Sequence, residues 1–270
     1  MSMNNKSVNP RSQLVLSLFP GVDLLGKAFA ANSFCVVRGP DPIFGDDIRE
    51  FTGVPGRFDG VIAGSPCQGF SAANRFRNDS DHPSVQYSNE MLVEFVRVVS
   101  EVKPKWWLLE NVPGVPDVTV PAFKTQRLPL TDVECGGVQI RTRHIQWGHM
   151  DGFVLRPERV TGRRKSGPVP KTATSKMSKH WNFSDQCRRQ GFDPNRLDLS
   201  GWSKTAKIRA VGNGVARSVG NVLAEAVVSA SAAKETDCSC GCGRSLTGKQ
   251  RAATASCRKR IQRSRDVGCK

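Results

Sequence analysis

Two hundred and seventy residues carry 40 Lys+Arg against 24 Asp+Glu, a formal charge of +16 at pH 7, with 38% hydrophobic residues. The length suits a large α/β domain with an appendage, no apolar run approaches the roughly 18 to 20 residues that span a bilayer, and polar Met1 to Arg11 has no secretory pattern; a membrane protein is excluded and a cytoplasmic chain expected. So large a positive surplus points to a polyanionic partner, nucleic acid first, with a merely solubilising surface as the plain alternative.

Leu14 to Leu18 reads LVLSL, a short apolar run that breaks into Phe19-Pro20-Gly21, the pattern of a buried strand and tight turn. A short helix over Leu24 to Ala31 and a second strand over Phe34 to Val37 begin a β-α-β alternation. Phe58 to Ala63 predicts another buried strand, closing on Gly64-Ser65-Pro66. The polar stretch from Phe70 to Ser88 predicts a mobile loop. Met91, Leu92, Phe95, Val98, Val99 and Val102 recur at helical spacing, an amphipathic helix ended by Lys103-Pro104. Trp106 to Leu109 is then a strand that delivers Glu110 and Asn111 to its C-terminal end, the edge where open α/β sheets bind ligands. Gln139 to Ile145 predicts a further strand and Arg156 to Lys179 a basic, loop-rich insert. Ala210 to Ala233 predicts a Gly-Asn-Gly turn followed by a helix.

Chemistry-bearing residues cluster at these strand ends. They are Ser17-Leu18-Phe19-Pro20-Gly21, then Pro66-Cys67-Gln68-Gly69-Phe70-Ser71, Glu110-Asn111-Val112, Gln139-Ile140-Arg141-Thr142-Arg143 and Gly212-Asn213-Gly214-Val215. Singly, each has a plain reading: a buried thiol, a solvated strand-end carboxylate, a generic glycine turn.

In this order the segments resemble the cytosine-C5 DNA methyltransferase family over roughly residues 12 to 230. Pro66 to Ser71 is similar to its nucleophile motif, Glu110-Asn111-Val112 to its Glu-Asn-Val motif, and Gln139 to Arg143 to its Gln-x-Arg-x-Arg motif. Arg188 to Phe192 resembles the stretch preceding the last motif. The resemblance implies a Rossmann-like α/β, S-adenosylmethionine-dependent methyltransferase fold. Its expected parts are a catalytic and cofactor-binding core over 12–143, a small recognition insert over 144–182, a return segment over 183–233 and a basic tail over 234–270.

The implied chemistry explains the residue types. Cytosine C5 attacks a methyl group only when the ring is electron-rich, and a thiolate adding at C6 achieves this, the role of Cys67. Glu110 would donate a proton at N3 while Arg143, supported by Arg141, stabilises charge at O2. The base that removes the C5 proton is not identified by the sequence. For the cofactor the resemblance implies Phe19, Pro20 and Gly21 in the first turn, Asp47 at the adenine amine, Pro66 beside Cys67, and Asn213 and Val215 near the methionine end. Asp41 is the candidate for the ribose, about 20 residues beyond the first glycine turn.

The chain departs from the family pattern in the cofactor half. Ser17 stands where Asp is usual, Asp23 interrupts the usual Gly-x-Gly, and Asp46 replaces Gly.

The implied partner is double-stranded DNA, with the target base swung out of the helix and the protein acting as a monomer. Gln68, Ser71, Arg75 and Arg77 would act on the loop that closes over DNA, and Arg163, Arg164 and Lys165 would grip phosphates in the insert. The short insert predicts a short or relaxed recognition site and a bacterial or phage source.

Nine cysteines is an odd count, and five of them, from Cys238 to Cys269, crowd into the tail. Cys238, Cys240 and Cys242, with Cys257 fifteen residues later, resemble a small zinc knuckle ending in a basic helix, with a disordered basic tail as the alternative. From Lys234 onward ten Lys/Arg face three acids, so the tail holds seven of the sixteen surplus charges and would add nonspecific DNA affinity. Two competing functions remain: an RNA cytosine-C5 methyltransferase, whose tRNA-directed examples carry a Cys-Phe-Thr signature absent here, and a non-catalytic DNA-binding protein.

Overall fold

The computed structural model describes residues 12–160 and 182–231, with 236–237, 245–246 and 254–259 of the tail. Contacts divide the chain into two compact units, residues 1–225 and 226–270. The first is built on a six-stranded sheet in the order β2-β1-β3-β4-β6-β5. Strands β1 (Leu14–Leu18), β2 (Cys35–Arg38), β3 (Gly60–Ala63) and β4 (Trp106–Asn111) run parallel, while β6 (Thr142–His149) is antiparallel to both β4 and β5 (Lys124–Thr131). Helices α1 (Leu24–Ala31) and α2 (Pro83–Val102) connect the parallel strands, and α3 (Phe183–Arg189), α4 (Lys204–Asn213) and α5 (Arg217–Ser231) follow. The chain leaves β1 toward β2 on one side and returns as β3 on the other, so the carboxyl ends of β1 and β3 flank a topological switch point.

Period-two alternation sorts side chains between the two faces of this sheet. Leu16, Leu18, Val61, Ala63, Trp107 and Leu109 meet the apolar stripe of α2, with Phe95, Val98, Val99 and Val102 fully buried. Burying each such side chain stabilises the fold by about 1.5–3 kcal/mol before conformational entropy is counted. An aromatic row crosses the sheet: Trp106 stacks on Phe29 at 6.3 Å and on Trp147 at 5.4 Å. Gly60 pairs with Trp106 across the ladder, and a Cβ at Gly60 would lie 2.2 Å from that indole, so glycine is required there. A second core, of Val22, Leu24, Cys187, Phe192, Leu197, Leu199 and Val211, ties the return segment to the start of α1.

Several boundaries differ from the sequence expectation. Strand β2 begins at Cys35 because Phe34 turns into the core against Phe29. Strand β3 begins at Gly60, since Asp59 instead accepts the Leu14 N–H with its carboxylate. Helix α2 begins at Pro83 rather than Met91: His82 caps it, Pro83 takes the first turn, and Val85 and Ser88 are already buried. Strand β5 was unforeseen, being a polar edge strand in which Pro129 costs no interior hydrogen bond. The strand expected over Gln139 to Ile145 is β6, displaced to Thr142–His149, so the core extends six residues beyond position 143. The expected Gly-Asn-Gly turn falls at the C-terminal end of α4, where Gly214 stops the helix. Most of the insert, 161–181, lies outside the described residues.

In the second unit two-residue strands, Thr236–Asp237 and Ser245–Leu246, pair antiparallel. The Thr254 hydroxyl donates to Cys257 Sγ at 3.1 Å.

Candidate active site

At the C-terminal end of β1 the chain turns sharply through Phe19, Gly21 and Asp23, which alternate in left-handed conformation with φ of 54°, 54° and 56°. Two of the three are not glycine, a conformation that persists only where surrounding contacts over-determine it. Asp41 supplies one such contact, its Oδ2 accepting the Gly21 N–H at 2.7 Å while its Oδ1 accepts from Ile43. Arg38 supplies another, donating to the Gly21 carbonyl at 2.5 Å. On the inner side Asp23 caps α1, accepting the Gly26 N–H and the Ser17 hydroxyl. Burial pushes the Asp23 carboxyl above the ordinary range, opposed by its contacts with Ser17, Arg38 and Gly26.

Beyond β3 the chain makes one helical turn on Cys67, whose carbonyl accepts from the N–H groups of Phe70 and Ser71. Gly69 lies against α2, its N–H donated to Ser88 Oγ at 2.9 Å. The turn is fixed from β4: Asn111 Nδ2 donates to Ser65 Oγ at 2.8 Å and to the Ser65 carbonyl at 3.2 Å. Asn111 is thus a clamp, holding the Ser65-Pro66-Cys67 turn from the neighbouring strand end.

Glu110 and Asn111 are the last residues of β4 and are buried. Glu110 stands opposite Ile145 in the ladder, and the period-two spacing of 141, 143 and 145 turns both arginines to the Glu110 face. Arg143 Nε lies 2.7 Å from Glu110 Oε1, an ion pair with both side chains largely buried. That oxygen receives no aligned hydrogen bond. Arg141 is more deeply buried, and desolvation first, then repulsion from Arg143, bring its pKa down to about 9. Cys67 sits in the same field. Burial and then the Glu110 charge push its thiol above its ordinary value, while Arg143 and Arg141 pull it down.

These strand ends enclose a cavity of about 320 Å³, within the range of small-molecule sites. Its lining brings together Phe19, Pro20, Gly21, Asp41, Pro66, Cys67, Gln68, Glu110, Arg143, Asn213 and Val215, all read from the sequence. Arg141 is not among the lining residues but interacts electrostatically with Glu110 and Cys67. Asp47 does not line it; the carboxylate caps a single turn at Ile48–Glu50 and pairs with Arg49. Ser71 accepts from the Ala73 N–H, and Arg75 and Arg77 are exposed on the loop, with the Arg75 guanidinium 4.5 Å from the Phe76 ring centre. Arg163, Arg164, Lys165, Cys238, Cys240 and Cys242 lie outside the described residues, so only Cys257 of the four candidate zinc ligands is placed.

Sequence reasoning missed Ile43 and Tyr87, which also line the cavity and carry no signal of their own in the sequence. Ser65 and Gln190 are read only as members of their segments, with no role of their own. Gln190 is fully buried, donates to the carbonyls of Val211 and Gly214 and accepts from Gln139, joining the Gln-x-Arg-x-Arg segment to the turn that carries Asn213.

A family model described as C-5 cytosine-specific DNA methylase matches residues 29–120. A DNA (cytosine-5)-methyltransferase of Zea mays is 35% identical over 120 residues, 40% of this chain and 13% of its own length. The type II methyltransferase M.AgeI of Thalassovita gelatinovora is 33% identical over 139 residues, 45% of this chain and 31% of the relative. The chain therefore spans well under half the length of the relatives it matches. In fold it resembles a methyltransferase of Entamoeba histolytica (TM-score 0.59, 11% identity, 81% of this chain and 98% of the other). The Dnmt2 methyltransferase of S. pombe gives a TM-score of 0.57 at 12% identity, covering 80% of this chain and 99% of the other. Over residues 29–120 the chain is thus similar to C-5 cytosine-specific DNA methylases, and over a comparable stretch to curated cytosine-5 DNA methyltransferases.

Proposed function

We propose that the chain transfers a methyl group from S-adenosylmethionine to C5 of cytosine in double-stranded DNA. One observation carries this reading: Cys67, Glu110 and Arg143 arrive from three separate segments at one cavity, which the left-handed β1 turn also lines. The cofactor, when bound, supplies an electrophilic methyl group. Phe19 and Gly21 would hold it at the β1 turn, Asp41 at its ribose and Asn213 and Val215 at its methionine end; that all five line one cavity, with apolar and hydrogen-bonding groups together, supports the assignment. Asp47, expected at the adenine amine, is not among the lining residues of the cavity, so it is given no contact with the cofactor here.

In the proposed reaction the cytosine is swung out of the duplex into the cavity. Cys67 thiolate forms a bond to C6, and electron density moves through the ring to C5 and N3. The Glu110 carboxyl, in the cavity wall beside Arg143, is the group proposed to give a proton to N3 as charge develops on the ring. Arg143 also stabilises charge at O2, a preorganised contribution. After methylation the N3 proton returns to Glu110, the C5 proton leaves to a base and the Cys67–C6 bond breaks, restoring the neutral aromatic ring and the thiolate.

Gln68, Ser71, Arg75 and Arg77 are proposed to act on the loop over DNA, and Arg163, Arg164 and Lys165 to bind phosphates. A zinc ion on Cys238, Cys240, Cys242 and Cys257 is proposed for the tail, on the chemistry of four thiols alone. No helix among the described residues is long and apolar enough to cross a membrane. A monomer acting in the cytoplasm is the proposed form. Incubation with S-adenosylmethionine carrying a tritiated methyl group, and with duplex DNA or RNA in parallel, followed by nucleoside analysis, tests the reading. Label in 5-methyldeoxycytidine is expected; label in RNA only, or in another nucleoside, would overturn it.

A further inference from the structure

The two main departures of the β1 turn from the family pattern touch each other. Ser17 Oγ donates to Asp23 Oδ1 at 2.9 Å, and both residues are buried in the cavity wall. The same oxygen accepts the Gly26 N–H at 3.1 Å. A Cβ on Gly26 would stand 2.3–2.6 Å from the Asp23 carboxylate, so glycine at this position is what admits the carboxylate. The Asp23 backbone is left-handed at φ 56°, a region Asp and Asn enter more readily than other side chains. Ser17 from the strand, Asp23 from the turn and Gly26 from the helix therefore interlock as one device.

That device holds the inner side of a turn whose outer side is held by Arg38 and Asp41 on Gly21. With Phe19, Gly21 and Asp23 all left-handed, the turn keeps its shape only through such contacts. Cys67 and Glu110 take no part in the device.

We propose that Ser17 and Asp23 are a positioning pair that presets the β1 turn for the cofactor, so that losing either contact weakens cofactor binding and leaves the reaction at Cys67 unchanged. The inference rests on reading the cavity as the S-adenosylmethionine site. The pair acts through geometry, not through the charge of Asp23 on the ligand. Asparagine in its place keeps the side-chain oxygen for Ser17 and Gly26 and tolerates the left-handed backbone, but carries no charge.

Calorimetric titration with S-adenosylhomocysteine, together with KM for S-adenosylmethionine and kcat at saturation, tests this on the full chain. Asp23→Ala should weaken binding about tenfold or more and raise KM in parallel, Ser17→Ala several-fold, and the double variant no more than Asp23→Ala alone, because both remove one contact. Asp23→Asn and Ser17→Thr, which keep the oxygen, should bind within about threefold of the parent, and kcat at saturation should change little throughout. Thermal unfolding checks each fold; where Asp23→Ala does not fold, the Ser17→Ala and Ser17→Thr contrast decides. Unaltered affinity in the alanine variants, additive losses, or Asp23→Asn as weak as Asp23→Ala would overturn the proposal. A parent chain that binds no S-adenosylhomocysteine would instead overturn the cofactor reading, and the inference with it.

Discussion

Arg143 Nε and Glu110 Oε1 lie 2.7 Å apart at the junction of β4 and β6, two strands that run in opposite directions. The pair is largely buried, so each charge depends on the other. Removing the guanidinium by Arg143→Ala leaves a buried carboxylate without its nearest counter-charge, an arrangement that typically costs about 3–5 kcal/mol. Urea unfolding should show a loss of that order, and turnover should fall by about 10²–10³ because the site loses a preorganised donor. Arg143→Lys should recover part of the stability and less of the turnover, since a point charge does not reproduce the planar fork.

The Cys67 thiol is raised by burial and by Glu110 and lowered by the two arginines. In the free protein the thiolate, and with it the alkylation rate at Cys67, should rise with pH to a midpoint above the ordinary value of 9.0. Glu110→Gln removes a negative neighbour and should move that midpoint down; Arg143→Ala should move it up. Iodoacetamide labelling resolved by peptide mass spectrometry separates Cys67 from exposed Cys35. A midpoint that ignores both substitutions would contradict the electrostatic account.

Asn111 bridges β4 to the Ser65-Pro66-Cys67 turn through two donated hydrogen bonds. Asn111→Ala should cost about 1–3 kcal/mol in unfolding free energy through the buried groups it strands. Its larger effect should be on kcat, about 10²-fold, because a thiolate displaced by an ångström no longer lines up with its target. A fall in stability with kcat unchanged would mean that the clamp does not position Cys67.

Gly60 faces the Trp106 indole, which stacks in turn on Phe29 and Trp147. Gly60→Ala should destabilise the fold by about 1–3 kcal/mol by overpacking and should perturb near-ultraviolet circular dichroism from the tryptophans. An unchanged spectrum and midpoint would show that the sheet relaxes around the new methyl.

Much of this architecture is legible in the sequence because it rests on local signals. Strand β1 and helix α1 have the predicted bounds, since an apolar pentad and a capped apolar run each identify themselves. Cys67, Glu110 and Arg143 were readable because the segments that carry them resemble the family's motifs in order; singly each has a plain reading. What escaped depends on contacts made across the chain. The first two turns of α2 are masked by polar residues around buried Val85 and Ser88, and β5 by polar side chains suited to a sheet edge. The Ser17–Asp23 bond joins two positions that read separately as departures. Asp23 did carry a signal, an acidic residue directly before an apolar helical run, which is an N-cap pattern. Gln190 lay in the stretch from Arg188 to Phe192 that carried a motif, but its bridging role was not legible, because its partners lie in segments from Gln139 to Gly214.

The central claim is that Cys67 attacks a cytosine ring. It is tested most directly with duplex DNA in which every cytosine is 5-fluorocytosine, incubated with the protein and S-adenosylmethionine and resolved under denaturing conditions. Fluorine at C5 cannot leave as a proton does, so the covalent intermediate should persist. The account predicts a denaturation-stable protein–DNA adduct that requires the cofactor, maps to the peptide containing Cys67 and vanishes in Cys67→Ala. No adduct from the parent protein, or an equal adduct from Cys67→Ala, would contradict it.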